Sequence, residues 1–165
     1  MADYSSLKIL LVEDNQHMRS IITAILKGAG IRDVREARDG AEALEILRHY
    51  PADMALVDYN MEPVDGVDFT KMLRTASDSN NPYLPVVMIT GHSERSRVMQ
   101  ARDCGINEFV VKPLTARALL SRIDSVVMRP RPFIRCKVYF GPDRRRIADD
   151  HYPGPYRRAT DVAFT

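Results

Sequence analysis

Four short apolar runs each end in a polar residue able to handle a phosphoryl group. Leu7 to Val12 runs into Glu13-Asp14, Met54 to Val57 into Asp58, Val86 to Ile89 into Thr90, and Phe109 to Val111 into Lys112-Pro113. Runs of this length without polar alternation read as parallel strands buried on both faces. Parallel strands point one way, so their carboxyl ends gather at one edge of the sheet, where open α/β folds place their ligands. Residues far apart in sequence thereby become one pocket of three carboxylates, a hydroxyl and an ammonium.

The charges dictate the chemistry of that pocket. Carboxylates crowded in a partly desolvated cleft repel one another, and a hard divalent cation with oxygen ligands, Mg²⁺ above all, keeps them ionised. Mg²⁺ typically holds one or two carboxylates and leaves room for phosphate oxygens, so one carboxylate is free to react. Asp58 is the candidate, since an aspartyl carboxylate can attack phosphorus to give an acyl phosphate. Lys112 supplies a second cation for the transferring group, and Thr90 offers a hydroxyl donor.

Helical patterns fill the gaps between the runs. Met18, Ile21, Ile22, Ile25 and Leu26 share one face, with Asn15 as cap and Gly28 and Gly30 as the stop. A second helix is expected from Gly40 to Tyr50, capped by Asp39 and closed by Pro51. Phe69, Met72, Leu73 and Ala76 mark a third, before the polar loop 77–82. A fourth runs from Ser93 to Gly105, and Leu119, Leu120, Ile123, Val126 and Val127 define a fifth. Five β/α units in alternation argue for a doubly wound parallel sheet with helices on both faces.

At this point the chain resembles a known family. Glu13-Asp14, Asp58 followed by Asn60-Met61-Glu62-Pro63 and Asp65-Gly66, Thr90-Gly91, and Phe109-Val110-Val111-Lys112-Pro113 are similar in order and spacing to the receiver domain of two-component response regulators. The resemblance covers roughly residues 5 to 128 and implies a five-stranded sheet in the order 2-1-3-4-5. It implies that Asp58 accepts phosphate from a histidine kinase or histidine phosphotransfer protein, and that Glu13, Asp14, Asp58 and the Asn60 backbone carbonyl organise Mg²⁺. Thr90 and Phe109 become a switch pair, and the Lys112-Pro113 peptide is expected to be cis. On this reading the chain is no enzyme beyond self-phosphorylation from a phosphodonor and slow autodephosphorylation. A hydrolase with an aspartyl intermediate shares the Asp58 chemistry, but the sequence offers no cap domain for it.

The remaining titratable residues read more plainly. Cys104 and Cys136 make no metal pattern, and Cys104 is expected to be packed at a helix end. His17, His49, His92 and His151 show no metal spacing either. His92 stands two residues after Thr90, at the mouth of the pocket, where it could influence attack of water on the acyl phosphate. No apolar stretch approaches the roughly 20 residues that span a bilayer, and residues 1 to 6 form no export signal, so a cytoplasmic protein without membrane insertion is expected.

Composition changes at Arg129, which divides a receiver of residues 1–128 from a basic, Pro- and Arg-rich extension of residues 129–165. The extension holds five of the ten prolines and carries nine Lys or Arg against four Asp, a net charge of +5 on a body of net −3. It also repeats the pattern Tyr-x-Gly-Pro-x-Arg-Arg, first from Tyr139 to Arg145 and again from Tyr152 to Arg158. Tyrosine anchors, Gly-Pro turns and arginine forks suit contacts at an interface, and Tyr139, Arg144, Arg145, Tyr152, Arg157 and Arg158 are the expected contact residues. Protein binding is favoured over nucleic acid, which remains the alternative output, and over an inert tail. Residues 133 to 140 are too apolar to stay free, and are expected on or near the face made by the fourth helix, fifth strand and fifth helix, where a homodimer contact is also expected. The reading is thus a stand-alone response regulator that signals to an unknown output protein through phosphorylation-dependent contacts.

Overall fold

In the computed structural model, residues 2–91, 95–143 and 162–164 are described. Five strands, β1 (Lys8–Val12), β2 (Asp33–Ala37), β3 (Met54–Asp58), β4 (Val86–Thr90) and β5 (Glu108–Val111), form a parallel sheet in the order β2-β1-β3-β4-β5. The helices between and after them are α1 (Gln16–Gly28), α2 (Gly40–Leu47), α3 (Gly66–Thr75), α4 (Arg95–Asp103) and α5 (Ala116–Met128).

Burial on two faces explains the apolar runs. Ile9 and Leu11 of β1, Met54 and Leu56 of β3, and Val87 and Ile89 of β4 pack with Ile22 and Leu26 of α1 and Leu119 and Ile123 of α5. Their neighbours Leu10, Val12, Ala55, Val57, Val86 and Met88 point the other way, into a second cluster with Ala43 of α2, Val67, Phe69 and Leu73 of α3, and Ala101 of α4. Strands flanked on both sides can hold no alternating polar set. β2 differs: it lies at the sheet edge with the sequence Asp-Val-Arg-Glu-Ala, and only Ala37 is buried.

The helix starts follow from side-chain caps. Asn15 accepts from the Met18 amide, Asp39 from Glu42, Asp65 from Asp68 and Thr115 from Ala118, each satisfying an orphan donor of a first turn. Glu42 reaches back to accept from the Arg38 amide at 2.8 Å, which completes a reciprocal cap at α2. α2 stops at Leu47, short of the expected Tyr50. Tyr50 instead turns inward and donates to the carbonyl and carboxylate of Asp33 at 3.1 and 3.0 Å, so a tertiary contact overrides the helical pattern there.

Beyond α5 the chain returns to the receiver. β6 (Phe133–Cys136) and β7 (Tyr139–Pro142) form an antiparallel hairpin, and β8 (Val162–Phe164) pairs with the other edge of β6. The hairpin does dock, but at the base of the sheet, beside the residues that enter β4 and β5, rather than on the face of α4, β5 and α5. Phe133 and Phe140 meet Tyr83 edge-on at 5.2 and 5.4 Å between ring centroids. Gly105, with φ +102, lies so close to β7 that a Cβ there would stand 2.8 Å from the Phe140 carbonyl oxygen. The reason for this site is Arg74 at the end of α3. Arg74 is 3% exposed; its guanidinium stacks 4.9 Å from the Phe133 ring and donates to the carbonyls of Gly105, Pro82 and Leu84.

Candidate functional site

β1 and β3 are neighbours in the sheet, with Val12 opposite Val57, so the residues that follow each come side by side. Glu13, Asp14 and Asp58 thereby bring carboxylate oxygens within 4.8 Å of one another. β4 and β5 complete the edge: Asp58 stands beside Ile89, and Thr90 beside Val111, the residue before Lys112. Lys112 extends back along it and places Nζ 3.0 Å from Asp58 Oδ1.

The electrostatics are those of a crowded, half-dry cleft. Asp58 is 4% exposed and Glu13 1%. Burial pushes the Glu13 carboxyl up to about 7, with the Asp58 charge adding to the effect and a bond from the Asn15 amide opposing it. Burial also raises Asp58, held back by its bond and charge contact with Lys112. One ammonium does not neutralise three carboxylates. Glu13 Oε2 is buried without a hydrogen-bond partner among the described residues, a costly state for a carboxylate oxygen. An oxygen-seeking divalent cation would use that atom, and its charge would bring both raised carboxyls down.

The other expected site residues are placed as follows. Thr90 is buried at the end of β4, and Phe109 is half-buried on β5 against the cluster that holds Met88 and Ala101. Asn60 lies exposed in the loop after β3, and the Lys112-Pro113 peptide is cis as expected. Tyr139 is buried in β7, where its hydroxyl donates to the Pro142 carbonyl at 2.7 Å. It is thus a contact within the chain's own hairpin. Arg144, Arg145, Tyr152, Arg157, Arg158, His92 and His151 lie outside the described residues. Cys104 is buried as expected, and His17 and His49 are exposed.

Three features of the site escape a reading of strand ends. Gly66, at the start of α3, is pressed against the acceptor strand: a Cβ there would overlap the Asp58 carbonyl oxygen and stand 2.7 Å from Met88 Sδ. The signal was the Asp65-Gly66 pair, which marks a helix start without revealing what the glycine touches. The Glu62-Pro63 peptide is also cis. Arg19 of α1 donates to the Glu13 carbonyl at 2.7 Å and to that of Asp14 at 3.3 Å, fixing the turn that presents the acidic pair.

The profile of the response regulator receiver domain matches residues 9–124. The chain belongs to the response regulator receiver family. This receiver is 36% identical over 124 residues to the chemotaxis protein CheY-3 of Vibrio cholerae, a match covering 75% of this chain and 94% of that protein. It is also 36% identical over 123 residues to the chemotaxis protein CheY of Pseudomonas aeruginosa, covering 74% and 98%. Among solved structures it is similar to CheY4 of Vibrio cholerae, with TM-score 0.67 and 28% identity over 73% of this chain and 98% of that one. A receiver domain of the Pseudomonas aeruginosa sensor histidine kinase PA1611, solved with a magnesium ion coordinated in its active-site cleft, gives TM-score 0.64 at 26% identity, over 72% of this chain and 94% of that one. The receiver of a Syntrophus aciditrophicus signal transduction histidine kinase gives 0.67 at 26%, covering 74% and 91%.

Proposed function

We propose that this receiver accepts a phosphoryl group on Asp58 from the phosphohistidine of a histidine kinase or histidine phosphotransfer protein, with Mg²⁺ held by Glu13, Asp14, Asp58 and the Asn60 carbonyl. The observation that carries this reading is the Asp58 carboxylate lying 3.0 Å from Lys112 and within 4.8 Å of two more carboxylates, one with an orphaned oxygen. A carboxylate oxygen of Asp58 forms the bond to phosphorus while the bond from phosphorus to the donor nitrogen breaks, leaving an acyl phosphate and the released imidazole. Lys112 holds its ammonium where the equatorial oxygens gather charge, and the Thr90 hydroxyl donates to another of them. When bound, Mg²⁺ supplies a second positive centre for those oxygens and relieves the repulsion among the carboxylates. Apart from this self-phosphorylation and a slow return to the free carboxylate, the chain catalyses nothing.

The output is a phosphorylation-dependent contact with another protein in the cytoplasm. A phosphoryl group adds about −1.5 to −2 charge at neutral pH, and Thr90 and Phe109 pass that change outward, a reading supported by their lying on adjacent strands. The test is transfer from a phosphorylated histidine phosphotransfer domain to full-length protein with Mg²⁺. Wild type is expected to become labelled, with Asp58→Asn and chelated wild type blank. Stoichiometric labelling of Asp58→Asn would remove Asp58 from its role.

A further inference from the structure

The residue after Asp58 is bound to a different helix. Tyr59 is 8% exposed, and its ring sits in the cluster that also holds Met61, Ala101 and Cys104. Its backbone is fixed on both sides, the amide donating to the Ile89 carbonyl at 2.8 Å and the carbonyl accepting from the Gly66 amide at 3.1 Å. From this rigid frame the hydroxyl donates to Oε1 of Gln100 on α4 at 3.0 Å, across 41 positions of sequence. β4 and the start of α3 therefore brace the donor, while the acceptor belongs to α4, an element on the far side of the Thr90 strand end. Among the described residues of α4, Ala101 is buried and Met99 is exposed; Cys104, buried, stands just past the helix end. α4 also follows closely on Thr90, the expected hydroxyl donor of the site.

We propose that Tyr59 is a positioning residue for the acceptor site, its hydroxyl tying α4 to the strand end that presents Asp58. The proposal rests on the reading of Asp58 as phosphoacceptor. Tyr59 as simple core filler is the competing account, and the two part company at the hydroxyl: Tyr59→Phe keeps the ring and its packing but cannot donate.

The experiment uses the full-length chain with Tyr59→Phe, Gln100→Leu, the double variant, and Gln100→Glu, which retains an oxygen acceptor. Amide exchange of residues 95–103 is measured in Mg²⁺ without phosphodonor, and initial phosphorylation rates are measured against acetyl phosphate concentration. Exchange in α4 is expected to quicken roughly 2- to 10-fold, the factor of one neutral hydrogen bond, in Tyr59→Phe and Gln100→Leu. The double variant should go no further, and Gln100→Glu should stay at the wild-type value. The limiting phosphorylation rate should fall in the same pattern, with KM for acetyl phosphate and Mg²⁺ affinity held within about twofold, since neither residue touches donor or metal. Unchanged α4 exchange in Tyr59→Phe, or additive effects in the double variant, would overturn the tether. Quickened exchange with an unchanged limiting rate would overturn the positioning role. Wild type that takes no phosphoryl group would instead sink the acceptor reading, and the role proposed for Tyr59 with it, leaving the exchange pattern to decide the tether alone.

Discussion

Arg74→Met should destabilise the receiver by about 2 kcal/mol, because the guanidinium is the common donor for the segments entering β4 and β5. It bonds to Gly105 O twice, at 3.1 and 2.9 Å, to Leu84 O at 2.7 Å and to Pro82 O at 2.9 Å, and lies 3.3 Å from Asn107 Oδ1. Methionine keeps the apolar stem but strands the buried carbonyls of Gly105 and Leu84, at about 1–3 kcal/mol each. Loss of the stack on Phe133 adds about 1 kcal/mol. Against this, the variant no longer desolvates a charge. Burial lowers the Arg74 guanidinium from its ordinary value to about 10, and at 1.36 kcal/mol per pKa unit removing that desolvated charge returns about 3 kcal/mol. Asn107 is spared, since its side-chain oxygen still accepts from the Val86 amide at 3.0 Å. Urea unfolding followed by circular dichroism measures the difference, and amide exchange should show the loss concentrated in the loops before β4 and β5 and in the β6–β7 hairpin. Arg74→Lys should do no better, because one ammonium cannot span carbonyls on both loops. Stability of Arg74→Met within 0.5 kcal/mol of wild type, or full stability in Arg74→Lys, would refute the shared-donor argument.

Three further outcomes are expected. Cys104 is buried and its thiol is pushed up to about 12 by desolvation, so at pH 8 its thiolate fraction is about one in ten thousand; a thiol-specific dye should label Cys136 alone in native protein, with Cys104 reacting on denaturation, and rapid native labelling of both would contradict its burial. Gly66→Ala drives a methyl into the Asp58 carbonyl, and should cost about 1–3 kcal/mol in urea unfolding while slowing phosphorylation by acetyl phosphate; wild-type values for both would show that α3 yields freely. Lys112→Ala should keep Mg²⁺ affinity, because the carboxylates remain, but lose most of its phosphorylation rate; loss of metal binding in calorimetry would contradict that division of labour.

How far the sequence discloses this molecule depends on what each residue packs against. β1, β3 and β4 are legible because both their faces are covered, which forces unbroken apolar runs. β2 is not, since an edge strand with Arg35 and Glu36 exposed looks like any polar connector. The acidic site is legible because parallel strands deliver their carboxyl ends to one edge whatever the loops do. Gly66, Tyr59 and Arg74 are opaque for the opposite reason: each matters through a partner remote in sequence, respectively Met88, Gln100 and Gly105. The hairpin shows both sides of this rule. The apolar content of residues 133 to 140 announces that they dock, but the place depends on Tyr83, Arg74 and Gly105, and nothing local to the hairpin encodes those.

The central claim, that the carboxylate cluster presents Asp58 as the phosphoacceptor, is tested most directly by locating the acyl phosphate. Full-length protein is incubated with acetyl phosphate and Mg²⁺, reduced with borohydride to convert any aspartyl phosphate to homoserine, digested and mapped by mass spectrometry. Homoserine is expected at position 58, absent when Mg²⁺ is chelated, with Asp14 unmodified. Homoserine at Asp14 or elsewhere, or none at all under conditions that phosphorylate a CheY control, would contradict the claim.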